Sequence, residues 1–250
     1  MVTLQNERFL EAVERVVNEA RCRDGIGRLG EKLVHASLKL YYEPNTACHE
    51  RKAAGFVADI LNDRGITEIQ TGPFTPLKRK LCVFLKDYDV TVVHPVANRK
   101  TIIWIDAAGE FSSPVKSPKK RDIFGVFTKL VSILPYLDSE RLTVILPLLD
   151  VEEYRLLHEK YGKRRSLRYE TLPKAFCGEI VLKRAEDYAR LLPDTLGANF
   201  TAKEFSKLCK ARGRALSASL KVLLTLGVLG REKEGKGYRY FRLIQKENQE

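Results

Sequence analysis

The stretch Val57-Ala-Asp-Ile-Leu-Asn-Asp-Arg-Gly-Ile-Thr-Glu-Ile-Gln-Thr71 constrains this chain more than any other, because two short apolar runs flank the tetrad Asn62-Asp63-Arg64-Gly65. Asn, Asp and Gly tolerate positive φ, and Asn and Asp bond their own backbone, so β-rich runs on either side of such a tetrad predict a hairpin. If Leu61 pairs with Ile66, Ile60 faces Thr67 and Asp59 faces Glu68. Side chains alternate along a strand, so Gln70 shares the face of both acids, and directly opposed Cβ atoms lie only ~5 Å apart. Like charges so placed repel and call for a compensating cation. A hard divalent metal, Mg²⁺ or Mn²⁺, with carboxylate and backbone oxygen ligands is the natural candidate.

The chain on either side reads as helices and further strands. Phe9, Val13, Val16 and Ala20 mark an amphipathic helix over residues 4–20, and Gly25-Ile-Gly27 breaks it. A second helix runs to about Leu40 on a stripe of Leu29, Leu33, Ala36 and Leu40. Glu31 and His35 lie four apart and point the same way. Glu31 also sits in the first turn, where the helix dipole by itself explains an acid. Beyond the hairpin, Thr75 caps a helix that starts with Pro76 and ends near Leu85. Strands are expected at 90–95 and 101–106 around a turn at Ala97-Asn-Arg-Lys100. Residues 111–121 form an exposed loop, residues 122–136 a helix and residues 142–149 a strand. Gly162-Lys-Arg-Arg-Ser-Leu-Arg168 reads as a basic loop, followed by a strand at 179–182 and a short helix before Pro193. Strand, helix, strand in this order implies an α/β core.

The net charge of +12 is unevenly spread: residues 196–250 hold 12 Lys/Arg against 5 Asp/Glu, and residues 1–95 hold 14 against 13. A concentrated basic surface suits a polyanion, nucleic acid first, with a merely solubilising surface as the alternative. The same segment has a legible grammar. Thr201-Ala-Lys-Glu204 is a capping box, Arg212-Gly-Arg214 a tight turn, and Leu216, Leu220, Leu223 and Leu224 the apolar side of a second helix. A Gly-centred basic hairpin follows from Arg231. Helix, turn, helix and ribbon resembles the winged helix-turn-helix of many DNA-binding proteins. The resemblance implies that Arg214, Ser217, Ser219 and Lys221 face the major groove or its phosphates, and that Lys233, Lys236 and Arg239 sit on the wing. A winged helix used for protein contact or as a homodimer is the competing use.

A helix carrying Glu31, Asp59 on one strand and Glu68-Ile69-Gln70 on the next resembles the PD-(D/E)XK nuclease superfamily, as does the helix and strand order of residues 73–94. What it implies is a restriction-endonuclease-like mixed sheet flanked by helices, in which Asp59, Glu68 and the Ile69 carbonyl ligate Mg²⁺ or Mn²⁺ and Glu31 joins through water or a second metal. Two positions depart from the pattern: Ala58 stands where a proline is usual, and Gln70 where lysine is. Gln can orient an attacking water but cannot neutralise charge. Lys78 or Lys80 is the nearest source of the missing cation.

At 250 residues and 44% hydrophobic content the chain buries a real core, and no run approaches the ~20 apolar residues that span a bilayer. Five scattered cysteines without a CxxC pair indicate neither a disulfide framework nor a zinc site. The expected organisation is an N-terminal helix (1–24), a nuclease-like domain (25–150), a connecting segment (151–195) and a winged helix (196–250). The expected function is that of a cytoplasmic, metal-dependent phosphodiesterase on double-stranded DNA. The alternatives are action on RNA, or a non-catalytic DNA-binding protein on a degenerate nuclease-like scaffold.

Overall fold

A computed structural model describes residues 2–23, 30–118, 122–160 and 163–244, with backbone alone at 20–23, 30–32, 158–160 and 163–166. The expected break at Gly25-Ile-Gly27 lies outside the described residues. By its contacts the chain forms two compact units: Met1–Thr71, Val93–Asp122 and Leu146–Ile180 make one, and Gly72–Val92, Ile123–Ile145 and Val181–Glu250 the other. These units group the segments differently from the expected organisation. Among the described residues, no helix is long and apolar enough to cross a membrane.

In the first unit, α1 (Val2–Arg23) packs on α2 (Gly30–Tyr42), burying Phe9, Ala12 and Val13 from α1 and Leu33, Val34, Leu38 and Tyr41 from α2. These positions recur at helical spacing, so each helix hides one stripe. Phe9 and Tyr41 also meet Phe176, with ring centroids 5.0 to 5.7 Å apart. The chain then forms an antiparallel meander of β1 (His49–Ala53), β2 (Phe56–Asn62) and β3 (Gly65–Ile69). The predicted register is observed: Ile60 pairs with Thr67 and Leu61 with Ile66. The ladder goes one step further, to Asn62 and Gly65, so the turn is tighter than the predicted tetrad. Asn62 Oδ1 accepts the Arg64 N–H at 3.0 Å, and Gly65 takes φ +107°, a conformation that favours glycine.

The same unit contains β5 (Val96–Ile105) and much of β7 (Leu142–Lys160) and β8 (Lys163–Leu182), with β6 (Val115–Lys116) antiparallel on β5. β5 runs parallel to β7, and β8 pairs with β7. Antiparallel and parallel pairs together make a mixed sheet, and α2 lies against β3. Two readings are corrected here. The expected turn at 97–100 lies inside β5, where a bulge at Asn98 absorbs the irregularity and its side chain donates to Asp150 Oδ1 at 2.8 Å. Of the expected basic loop 162–168, Gly162 lies outside the described residues and residues 163–168 begin β8, so the connecting segment 151–195 consists largely of the paired strands β7 and β8. Charge density reports solvent contact, and it does not decide whether a partner strand is present.

The second unit holds α3 (Leu77–Phe84), most of β4 (Val90–Val93), α4 (Ile123–Leu130), α5 (Ala185–Ala189), β9 (Asn199–Thr201), α6 (Ala202–Cys209), α7 (Arg214–Thr225), β10 (Leu229–Glu234) and β11 (Gly237–Arg242). Thr75 does not cap α3; Pro76 holds the cap position without a side-chain bond. The expected helix over 122–136 is α only to Leu130. It continues as a 3₁₀ turn from Val131 to Tyr136, which contains Pro135, a residue without an N–H for the helical ladder. The Thr201 capping box is observed: Glu204 Oε2 accepts the Thr201 N–H at 2.7 Å, and Thr201 Oγ1 accepts the Glu204 N–H at 3.3 Å. β9 pairs with β11 and β11 with β10, forming a three-stranded sheet.

Candidate functional site

The β2–β3 register turns Asp59 and Glu68 to one face of the meander, because it places them one step beyond the Ile60–Thr67 pair. Their environments differ. Glu68 is 3% exposed, whereas Asp59 is only partly covered. The ladder ends where Asp59 begins to act through its side chain: its Oδ2 accepts the Ile69 N–H at 2.7 Å. A residue in an extended strand turns its N–H and C=O toward the same edge, so the Ile69 carbonyl also faces β2.

The same Asp59 oxygen lies 3.3 Å from His35 Nε2, on α2. This contact was not expected from sequence. The available signal was the spacing of Glu31 and His35 by one helical turn, which gives both residues the same heading. Here α2 brings His35 to Asp59; the Glu31 side chain lies outside the described residues. Gln70 is held by its main chain, its N–H donating to the Val93 carbonyl at 2.8 Å and its own carbonyl accepting from buried His94 Nδ1. A carbonyl only accepts, so this bond sets the His94 tautomer with the proton on Nδ1. His94 is therefore a strut that fixes the end of the Glu68-Ile69-Gln70 run.

Two carboxylates and a main-chain carbonyl are donors of the kind that suits Mg²⁺ or Mn²⁺, whereas an imidazole such as that of His35 suits softer metals. Among the described residues, no group of three or more His, Cys, Asp or Glu side chains stands arranged around a metal position. His35, Asp59 and Glu68, all of them described, thus do not together surround one metal position, and the side chain of Glu31, the third acid expected, lies outside the described residues.

The expected nucleic-acid residues divide sharply. Arg214, Ser217 and Lys221 lie exposed along one side of α7. Ser219 is corrected: it is fully buried, and its hydroxyl donates to the Ala215 carbonyl at 2.7 Å within the same helix. A 3.6-residue period puts Ser219 two positions from Ser217 and therefore on the far side. Lys233, Lys236 and Arg239 are exposed on the β10–β11 ribbon, but not on one face. Lys233 pairs with Tyr238 and Arg231 with Tyr240, whereas Arg239 pairs with Glu232 on the opposite face and donates to Glu234 Oε2 at 2.8 Å. Arg231 and Tyr238, absent from the sequence-derived set, are joined by a cation–π contact of 4.6 Å. The alternation of Arg231 with Lys233 and of Tyr238 with Tyr240 was the signal for them.

No curated protein and no solved structure matches the chain. The sequence matches one family over residues 32–183, which is more than half of the chain and includes the whole β1–β3 meander. By that match the chain belongs to the family described as Domain of unknown function (DUF8091).

Proposed function

We propose that this protein is a metal-dependent phosphodiesterase that cuts DNA and is delivered to the duplex by a C-terminal winged-helix module. The observation that supports this reading is the β2–β3 register, whose last pair, Ile60–Thr67, stops one step short of Asp59 and Glu68, in a meander that follows the helix bearing Glu31 and His35. The chain order α2, β1, β2, β3, α3, β4 follows the order that the PD-(D/E)XK resemblance implies. The order β9, α6, α7, β10, β11 likewise suits a winged helix-turn-helix.

In this reading Asp59, Glu68 and the Ile69 carbonyl hold Mg²⁺ or Mn²⁺, and Glu31 completes the set. A divalent ion bound there lowers the pKa of a coordinated water and offsets charge developing on the phosphate. Gln70 orients the attacking water through its amide, supplying hydrogen bonds without charge. Arg214, Ser217 and Lys221 on α7 meet the duplex.

Supercoiled plasmid incubated with the protein and Mg²⁺ or Mn²⁺ is expected to be nicked, and Asp59→Ala and Glu68→Gln to abolish the nicking while the fold persists by circular dichroism. Undiminished cleavage by both variants would sink the proposal. A second reading is a DNA-binding protein without catalysis. It is favoured by Gln70 in place of lysine and by the engagement of Asp59 with His35 and the Ile69 N–H. It predicts salt-sensitive binding with no nicking by any variant. An RNA substrate of matched sequence, run in parallel, distinguishes the two nucleic acids.

A further inference from the structure

We infer that the β10–β11 ribbon binds an unpaired stretch of nucleic acid on its helix-facing side, through a stacking platform formed by Arg231 and Tyr238. The inference rests on reading the C-terminal segment as a nucleic-acid module; it does not depend on the carboxylate pair.

The ribbon has two chemically different faces. Strand alternation and the observed pairing put Arg231, Lys233, Tyr238 and Tyr240 on one, and Glu232, Glu234 and Arg239 on the other. The first face lines an open groove together with Ser217, Lys221 and Leu224 of α7, through Arg231 and Tyr240. It is basic and aromatic. The second is net acidic, and its single cation is engaged by Glu234. An anion is therefore drawn to the α7 side of the ribbon and repelled from the outer side.

The detail that selects the ligand is the platform. Arg231 Cζ lies 4.6 Å from the Tyr238 ring centre, and Tyr238 remains 48% exposed, so a flat cationic and aromatic surface stays open to solvent. Paired bases inside a duplex present only edges to a protein, because their faces are covered by neighbouring bases. An unpaired base offers its face, and such bases stack on tyrosine rings and on arginine planes. Lys221 and Lys233 stand exposed beside the platform for the flanking phosphates.

The test is fluorescence anisotropy of the full chain with three labelled DNAs: a blunt duplex, the same duplex carrying a single-stranded extension, and the single strand alone. The wild type is expected to bind the two DNAs with unpaired bases more tightly than the blunt duplex. Tyr238→Ala should weaken binding of those two by about ten-fold or more, leave the blunt duplex unchanged, and be rescued by Tyr238→Phe. Arg239→Ala, on the outer face, should show no such selectivity. Equal binding of the three DNAs, or a loss in Tyr238→Ala that falls evenly on all of them, overturns the platform while leaving plasmid nicking and the Asp59→Ala comparison intact. Failure of the wild type to bind any of the three removes the nucleic-acid module itself, and this inference with it.

Discussion

Asp59 and Glu68, each one step beyond the last β2–β3 pair, have different surroundings, and the difference lies in what each side chain meets. Asp59 is partly open and is used by a helix residue and a main-chain N–H, while Glu68 is nearly sealed. Two other buried acids show how strongly surroundings govern such groups. For Glu153 burial raises the pKa, but bonds from Lys100 Nζ and Arg155 Nε, each at 2.6 Å, outweigh it and hold the carboxyl low. Its contribution to stability is present above the unfolded carboxyl's pKa and is lost as pH falls through the folded value. Glu170 is the opposite case. Burial alone raises its pKa, and among the described residues its Oε1 has no hydrogen-bond partner. The folded chain thus holds the Glu170 proton more firmly than the unfolded chain does; that contribution is complete below the unfolded pKa and disappears as pH rises through the folded one. Glu170→Gln, neutral at every pH, should therefore raise the melting temperature at pH 8 and change it little at pH 4. A melt series in which the variant gains nothing at pH 8 would contradict this account. Ser219→Ala should shift stability by less than about 1 kcal/mol in urea unfolding, because its hydroxyl bonds the Ala215 carbonyl of its own helix. That buried serine also shows the limit of reading a helix face: two exposed-looking serines two residues apart cannot both face out.

Local signals served well at the level of single elements wherever the residues that define an element lie close together in the chain. The β2–β3 turn and its Ile60–Thr67 and Leu61–Ile66 register, the Thr201 capping box and the β10–β11 ribbon all depend on residues within a few positions of one another. At the ribbon, Gly230 faces Phe241, and a Cβ on Gly230 would come within 2.3 Å of the ring. Gly230→Ala should therefore destabilise the second unit by about 1–3 kcal/mol through overpacking, measurable by urea unfolding. An unfolding midpoint equal to the wild type's would show that the ring moves aside freely. Longer elements were less legible. β7 and β8 extend for 19 and 20 residues, and their polar, basic halves carry no apolar run to announce a strand. What makes them strands is the partner backbone, which lies outside any short window of sequence.

The C-terminal segment 196–250, considered within the whole molecule, does not own its core. Phe124 of α4 stacks with Phe127 and meets Phe205 edge-on at 5.6 Å; Phe127 meets Tyr188 at 6.3 Å. α4 also packs along α7. A fragment comprising 196–250 should therefore fail to fold alone, giving little helical circular dichroism and no cooperative melt. In the full chain Phe127→Ala should cost about 3–5 kcal/mol, since that ring is 1% exposed. A cooperative transition in the isolated fragment would show that α4 is dispensable. By itself the sequence determined the α/β class, the hairpin and its register, the capped start of α6 at Thr201, and the basic character of the C-terminal segment. Each of these follows from conformational preference, alternation or capping between near neighbours. Only the tertiary structure decided that Glu68 is sealed, that His35 reaches Asp59, and that α4 completes the C-terminal core. Those contacts join residues tens of positions apart, and burial acts on such residues without leaving a period in the chain.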